Sequence, residues 1–360
     1  MTRITVPIGP QHPLIKEPIA IRLDVQGERV LAAEIGIGYV HRGLEHLLQR
    51  RTYAQGVAIV ERICGICSHA HTTAYCQCIE ALALLETPPR ALAIRTLLCE
   101  LERIHSHLLW LGVLAEAIGF NTIFMYAWRE REQVLDIMEA ISGGRIAHGV
   151  NVIGGVREDV TAQQARQALA MLNALREQMR TFVDLVERDR SFLRRTQGIG
   201  RLTREDVRAY GIVGPVARAS GATLDIRRAA PYAAYTWLHV PHAVLVEGDV
   251  LARARVRVAE VQYSLSLCEQ LLAALPEGAL TTRSPRRVPE GEAITRIEAP
   301  RGELLYYVRS DGSDKPARVH ARTPTLPTLM ALRTMLPGLH TGDVAAVVAG
   351  ADLCMACADR

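Results

Sequence analysis

Two cysteine pairs stand out by their spacing, Cys64-Gly65-Ile66-Cys67 and Cys354-Met355-Ala356-Cys357. In a Cys-x-x-Cys segment the short loop lets both sulfurs face one side. One pair therefore half fills a tetrahedral soft-metal site, and two pairs complete a four-sulfur set. Here about 290 residues separate the pairs, whereas those of a zinc ribbon stand about 15–20 apart. The fold must bring distant parts of the chain together, and a simple structural zinc site becomes the weaker reading. Redox-active or merely buried thiols are the readings without a metal. The other cysteines, Cys76, Cys78, Cys99 and Cys268, have no spacing that completes a site and read as small buried residues. His69/His71 and His105/His107 are each two apart, so on a helix the members of a pair face different ways. Gly36-Ile37-Gly38 is not followed by a full dinucleotide fingerprint, which leaves a nucleotide site unsupported.

The elements that must position these residues are mostly helical. Residues 3–40 read as strand, with Ile19–Val25 and Val30–Ile35 forming a hairpin around Gln26-Gly27-Glu28-Arg29. From Leu44 to about Ile141 the periodicity is helical, broken at Pro88-Pro89 and near Gly119. Leu108–Trp128 is long enough to span a membrane, but Glu116, Gly119 and Asn121 near its middle favour two buried core helices. Asp159 to about Arg195 reads as one amphipathic helix, 198–240 as irregular, and Val244–Leu275 as helix again. Leu304–Val308 and Ala317–His320 read as a second hairpin across Asp311-Gly312. The expectation is a mainly α fold with small β elements (α+β) and a helical-bundle core. It forms a single domain over 1–360, with a β-rich segment at 1–43 and a β element near 303–320.

Composition fits a folded soluble protein: of 360 residues, 49% are apolar and 22% charged, and the net charge is +4. No Lys/Arg block stands out, so nucleic acid is not an expected partner. The start lacks the apolar stretch of a signal peptide. A reducing compartment follows, in which eight cysteines mean thiols or metal ligands.

The surroundings of the cysteines narrow the chemistry. Arg62-Ile63-Cys64-Gly65-Ile66-Cys67-Ser68-His69-Ala70-His71 resembles the first signature of nickel–iron hydrogenase large subunits, and Asp352–Arg360 resembles their C-terminal signature. The likeness continues through Gly9-Pro10-Gln11-His12-Pro13, His41-Arg42-Gly43-Leu44-Glu45, Arg129-Glu130-Arg131-Glu132, Gly154-Gly155-Val156-Arg157, Gly214-Pro215-Val216-Ala217-Arg218 and Ala299-Pro300-Arg301-Gly302-Glu303. It spans nearly the whole chain and points to the energy-converting, membrane-associated (group 4) type, which also resembles the large hydrophilic subunit of respiratory complex I.

That resemblance implies a nickel–iron centre interconverting hydrogen with protons and electrons, its iron carrying carbon monoxide and cyanide. Cys64 and Cys354 would be terminal nickel ligands, and Cys67 and Cys357 would bridge nickel and iron. Soft thiolates support nickel redox changes, and Cys354 is the candidate to take the proton as hydrogen splits. Glu45 matches the family's proton-transfer glutamate. It is expected within hydrogen-bond reach of a thiolate, so that Glu45→Gln would keep the metal and suppress turnover. Arg301 matches an arginine over the active site that holds the cyanides or steers the hydrogen-facing side. His71 and Asp352 are expected to support the cluster by hydrogen bonds. Without the resemblance, Glu45 reads as an exposed helix-start carboxylate and Arg301 as a surface arginine after a turn. Expected partners are an iron–sulfur small subunit, membrane ion-translocating subunits and maturation proteins, with iron–sulfur clusters lying in the partners. The expected location is cytoplasmic, peripheral to the membrane. Two departures from the pattern are Leu353, where a proline is usual, and a chain that stops three residues after Cys357. The latter marks a processed form or a type without a C-terminal extension. Competing functions are a complex I-type quinone-site or coupling subunit, which has no use for the cysteines, and a structural zinc protein.

Overall fold

The N-terminal alternation folds into a three-stranded antiparallel sheet of β1 (Arg3–Ile8), β2 (Ala20–Gln26) and β3 (Arg29–Gly36), in that order. The computed structural model describes residues 2–12 and 15–360. Pro13, in the Gly-Pro-Gln-His-Pro motif and in the run expected to be strand, lies outside the described residues. Five helices follow: α1 (Leu44–Leu48), α2 (Tyr53–Glu61), α3 (Ser68–Leu82), α4 (Pro89–Ala117) and α5 (Asn121–Ser142). Pro88-Pro89 starts α4 because a proline at the first helical position loses no intrahelical bond. Gly119, at φ +89°, ends it with a turn that other residues resist.

α4 is buried along most of its length and packs against α5 and α11 (Val250–Ala273); α11 in turn packs on α6 (Ala162–Arg188). Thr161 and Gln164 form a capping box that starts α6. Between α5 and α6 in the chain lies a short hairpin, β4 (Asn151–Val152) and β5 (Gly155–Val156), which packs against α3 and α4. The segment read as one helix to Arg195 divides at Asp189, whose carboxylate accepts from the Phe192 amide and starts α7 (Arg190–Thr196). The region 198–240 holds three short α-helices, α8 (Arg204–Tyr210), α9 (Gly214–Arg218) and α10 (Ile226–Ala229), and a 3-10 helix at Ala233–Thr236. The C-terminal hairpin is part of a three-stranded antiparallel sheet, β6 (Gly291–Ala299), β7 (Gly302–Ser310) and β8 (Pro316–Arg322). The chain then runs through α12 (Thr325–Met330), α13 (Leu332–Met335), α14 (Val344–Gly350) and α15 (Met355–Asp359). The architecture is mainly α with small sheets, as the sequence pattern requires.

The stretch 108–128 needs one correction. Its first half is core, but α5 exposes Met125 (63%), Tyr126 (41%) and Trp128 (37%) in its first two turns. Only Ala127 among these four neighbours is buried, where it faces Gly112 of α4. Among the described residues, no helix is long and apolar enough to cross a membrane.

The helical core also encloses charge. Arg218 lies among Glu298 (2.8 Å), Glu260 (2.9 Å) and Asp225 (3.7 Å), all fully buried. Arg227 bridges Asp225 (2.7 Å) to Glu100 (3.1 Å), and His107 meets Glu260 at 3.0 Å. Burial alone would raise the Glu260 carboxyl, but Arg218 and His107 outweigh it and hold the group well below its usual range. Removing one partner of such a network strands charge in a place water does not reach. Arg218→Leu is therefore expected to cost about 3–5 kcal/mol of stability, measured by chemical denaturation. A loss below about 1 kcal/mol would mean that solvent screens these groups.

Candidate metal centre

The two cysteine pairs reach one point by different routes. Cys64 lies between α2 and α3, where the Gly65-Ile66 turn folds back so that the Ile66 amide donates to its sulfur at 3.2 Å. Cys67 is the residue that starts α3. Glu102 on α4 anchors this helix start, its carboxylate accepting from the His69 and Ala70 amides at 2.6 and 3.0 Å. At the other end of the chain Cys354 starts α15, and Cys357 lies one turn on. Sγ of Cys64 stands 3.3 Å from that of Cys354, and Sγ of Cys67 stands 3.4 Å from that of Cys357. All four are buried, inside the apolar cluster that joins α2 and α3 to the β6–β8 sheet.

Four sulfurs so close cannot all ionise unaided. Hydrogen bonds from Cys354, then from Cys357 and Cys67, pull the Cys64 thiol well below the ordinary thiol range. Cys357 is held well above it, first by its bond with Cys354, then by those with Cys64 and Cys67 and by burial. One negative charge thus opposes the next. A full thiolate set needs a cation to neutralise it, and soft donors of this kind favour a soft or borderline transition metal.

The side chains around the sulfurs are fixed by partners of their own. Arg301 sits in the two-residue turn between β6 and β7, with Ala299 paired to Gly302. That turn presses on the start of α9: a Cβ on Gly214, at φ +72°, would lie 2.3 Å from the Arg301 carbonyl oxygen, so only glycine fits. Nη2 of Arg301 meets the Asp352 carboxylate at 2.8 Å, and its Nε donates to the Asp352 carbonyl at 3.0 Å. Arg257, whose guanidinium lies 4.1 Å from the centre of the Trp110 ring, meets the same carboxylate at 3.2 Å. Two arginines thereby hold Asp352 in a left-handed conformation, φ +53°, immediately before Leu353-Cys354. Leu353 displaces no sulfur; it packs partly buried against the main core.

His71 lies with Nε2 3.5 Å from Sγ of Cys357 and Nδ1 2.8 Å from the Tyr306 hydroxyl. Burial lowers its pKa to about 4, which keeps it neutral, and burial holds the Tyr306 phenol well above its usual range. In the tautomer in which Tyr306 donates to Nδ1, the ring hydrogen sits on Nε2 and faces the sulfur. A small enclosed cavity adjoins Cys67 and Cys357, lined also by Ala299, Leu304, Pro324 and Arg301. Nη1 of Arg301 is buried without a partner. An orphaned donor beside a closed space next to two sulfurs suits a metal carrying small acceptor ligands, so the residues fit the centre that the resemblance implies.

Glu45 departs from expectation. Its carboxylate accepts from the Arg360 Nε at 2.7 Å and the Ala321 amide at 3.1 Å, and pairs with His320 at 3.1 Å and Arg318 at 3.4 Å. None of these bonds runs to a thiol. Burial raises its pKa, but the bonds from Ala321, Arg360 and His320 outweigh burial and lower it overall. A carboxylate saturated in this way is a poor proton carrier. A carboxylate that the sequence reading missed, Glu17, lies inside the second cysteine turn. It accepts from the Met355 and Ala356 amides inside the second Cys-x-x-Cys turn. Burial raises its pKa; Arg301 opposes this and Cys64 adds to it. Glu17 and Lys16 line a cleft shared with Arg301 and Asp352. The other four cysteines form no cluster: burial pushes Cys76 up to about 12 and Cys78 up to about 11, and Cys99 and Cys268 lie buried on α4 and α11.

Comparison with known proteins assigns this architecture. Residues 117–288 and 281–360 match the family described as respiratory-chain NADH dehydrogenase, 49 Kd subunit, and residues 42–123 match nickel-dependent hydrogenase. The carbon monoxide-induced hydrogenase of Rhodospirillum rubrum is 37% identical, covering 100% of both chains. The chain belongs to the family of nickel–iron hydrogenase large subunits and their respiratory 49 kDa relatives. Within that oxidoreductase family, a subunit of the F(420)H(2) dehydrogenase of Methanosarcina mazei is 39% identical over 99% of this chain and 97% of its own length. A chain of the membrane-bound sulfane sulfur reductase, an archaeal respiratory membrane complex, superposes with a TM-score of 0.94 at 32% identity, covering 100% of this chain and 98% of that one.

Proposed function

We propose that this chain, acting as one unit over 1–360, is the catalytic large subunit of a nickel–iron hydrogenase within an energy-converting membrane complex. The observation that carries the reading is the convergence of four buried sulfurs, at 3.3 and 3.4 Å across the two pairs, beside the unpaired Nη1 of Arg301. Cys64, Cys67, Cys354 and Cys357 would hold the nickel–iron centre, with carbon monoxide and cyanide on the iron. When bound, that centre supplies the reversible splitting of hydrogen into protons and electrons.

The chain's own residues do the rest. Cys354 takes or gives the proton, and Glu17, holding the amides of Met355 and Ala356, passes it toward the cleft that also contains Lys16. Arg301 gives the enclosed cavity a fixed positive donor, and Asp352 with Arg257 keeps that guanidinium aimed. His71 donates to Cys357 and moderates its charge. Electrons leave through an iron–sulfur partner subunit, because the remaining cysteines are dispersed. Membrane ion-translocating subunits and maturation proteins complete the expected partners, and the subunit lies on the cytoplasmic face.

The F(420)H(2) dehydrogenase relative and the 49 Kd family match favour a second reading, a coupling subunit without hydrogen chemistry. Metal analysis of the intact complex separates the two. One nickel per copy of this chain, with hydrogen-dependent dye reduction, supports the first. Zinc in place of nickel, or no nickel in a fully matured complex, removes it and leaves a structural or coupling role.

A further inference from the structure

Both cysteine turns are gripped by one short segment that the chemistry above does not use. Arg42, in the loop that leads into α1, donates from Nη1 to the Arg62 carbonyl at 2.9 Å and from Nη2 to the Ile63 carbonyl at 2.7 Å. The same Nη2 reaches the Ala356 carbonyl at 3.2 Å, while Nε donates to Val40 at 3.3 Å. Ile63 immediately precedes Cys64, and Ala356 immediately precedes Cys357. One guanidinium thus ties the backbone beside a sulfur of the first pair to the backbone beside a sulfur of the second. Neighbouring residues reinforce the grip. The Asp359 carboxylate accepts from the Gly38 and Val40 amides at 2.8 and 3.2 Å, and Nδ1 of His41 lies 2.6 Å from the Asp359 carbonyl oxygen. Glu45 holds Arg360. The saturation that disqualifies Glu45 as a proton carrier is what suits it to this task.

We infer that Arg42 is a positioning residue: it fixes the gap between the two Cys-x-x-Cys turns and thereby governs how firmly the site keeps its metal. The planar fork of arginine supports this, since it reaches several carbonyls in fixed directions whereas a lysine ammonium offers one compact charge. The two halves of the site share no local chain connection, so a brace between them sets the sulfur separation directly. The inference rests on the metal-centre reading, but one of its two tests does not need the metal.

The control is a second arginine clamp of the same design, remote from the sulfurs. Arg90 donates to the Pro276 and Val160 carbonyls at 2.8 and 3.0 Å and to Asp159 at 2.8 Å. In the intact complex, Arg42→Ala is expected to release nickel to a chelator about 10–100-fold faster than the wild type, with Arg42→Lys between them and Arg90→Ala unchanged. In full-length protein from nickel-depleted cells, iodoacetamide should label Cys64, Cys67, Cys354 and Cys357 faster in Arg42→Ala by a similar factor of about ten or more. Peptide mass spectrometry then shows Cys76 and Cys99 unaffected. If Arg42→Ala does not fold, Arg42→Lys and Arg42→Gln are read in its place. Wild-type rates in both assays overturn the inference, as does acceleration of all cysteines together or equal acceleration in Arg90→Ala. A wild-type complex without nickel removes the metal reading alone, and the labelling experiment still decides whether Arg42 is a brace.

Discussion

Cys357→Ser is expected to strip the site of nickel and iron and abolish hydrogen-dependent dye reduction while the chain stays folded. The substitution changes one atom, so packing around Tyr306 and His71 is kept. The chemistry changes far more: a serine hydroxyl is a hard donor that gives up its proton only at very high pH, whereas the soft or borderline metal proposed here would need a polarisable anion. Cys357 also lies in both groups of ligand atoms that converge here, with Cys64 and Cys354 on one side and with Cys67 and His71 on the other. Losing it breaks both. Metal analysis, dye reduction and a thermal melt on the same preparation check the expectation. Retained nickel with full activity would mean that Cys357 is not a ligand, and an equal loss of melting temperature would mean that the cysteine serves the fold.

Glu17→Gln should have the opposite profile, keeping the metal and slowing turnover. A positioned proton carrier contributes roughly 10²–10⁴-fold, so a loss within that range is expected in both hydrogen oxidation and proton reduction. Glutamine retains an oxygen that can accept from Met355 and Ala356, and the second cysteine turn should keep its shape. The pH dependence of stability gives an independent check. Burial raises the Glu17 pKa above its ordinary 4.5, so the folded chain holds a proton that the unfolded chain has already released. The stability Glu17 contributes is full below that value and is lost as pH rises through the folded pKa. Glu17→Gln removes this loss, and the variant should melt no lower than the wild type at alkaline pH despite its poorer turnover. Unchanged turnover would return the proton route to another group. The same assay on Glu45→Gln is the contrast: slowed turnover with metal intact would restore the relay first expected there.

How much of this was legible in the sequence depends on the range over which each signal acts. The cysteine pairs were legible because a Cys-x-x-Cys turn is a local object. The start of α4 at Pro88-Pro89 and its end near Gly119 were legible for the same reason. Glu45 was misjudged because proximity to a motif along the chain says nothing of where a carboxylate points; Arg360 and Ala321, some 300 residues away, decide that. Glu17 was missed because Lys16-Glu17-Pro18 has the look of a solvated turn, and only the amides of Met355 and Ala356 give it a purpose. The break at Asp189 was hidden because an aspartate on the polar face of a helix looks the same as one that caps the next. β6 went unread because Glu292, Arg296 and Glu298 interrupt its apolar alternation, although the last of these pairs with Arg218 in the core.

The wide separation of the cysteine pairs also has a consequence in time. At a synthesis rate of about 5–20 residues per second, roughly 15–60 s pass between the appearance of Cys67 and that of Cys357. Throughout that interval the first pair is half a site, able to catch a stray zinc ion but unable to enclose it. Glu102 and the surrounding helices can fold meanwhile, so that Cys64 and Cys67 stand ready before their counterparts exist. On the proposed reading, the order of the four cysteines along the chain acts as a clock: the site cannot close around a metal until the body that shields it has been made.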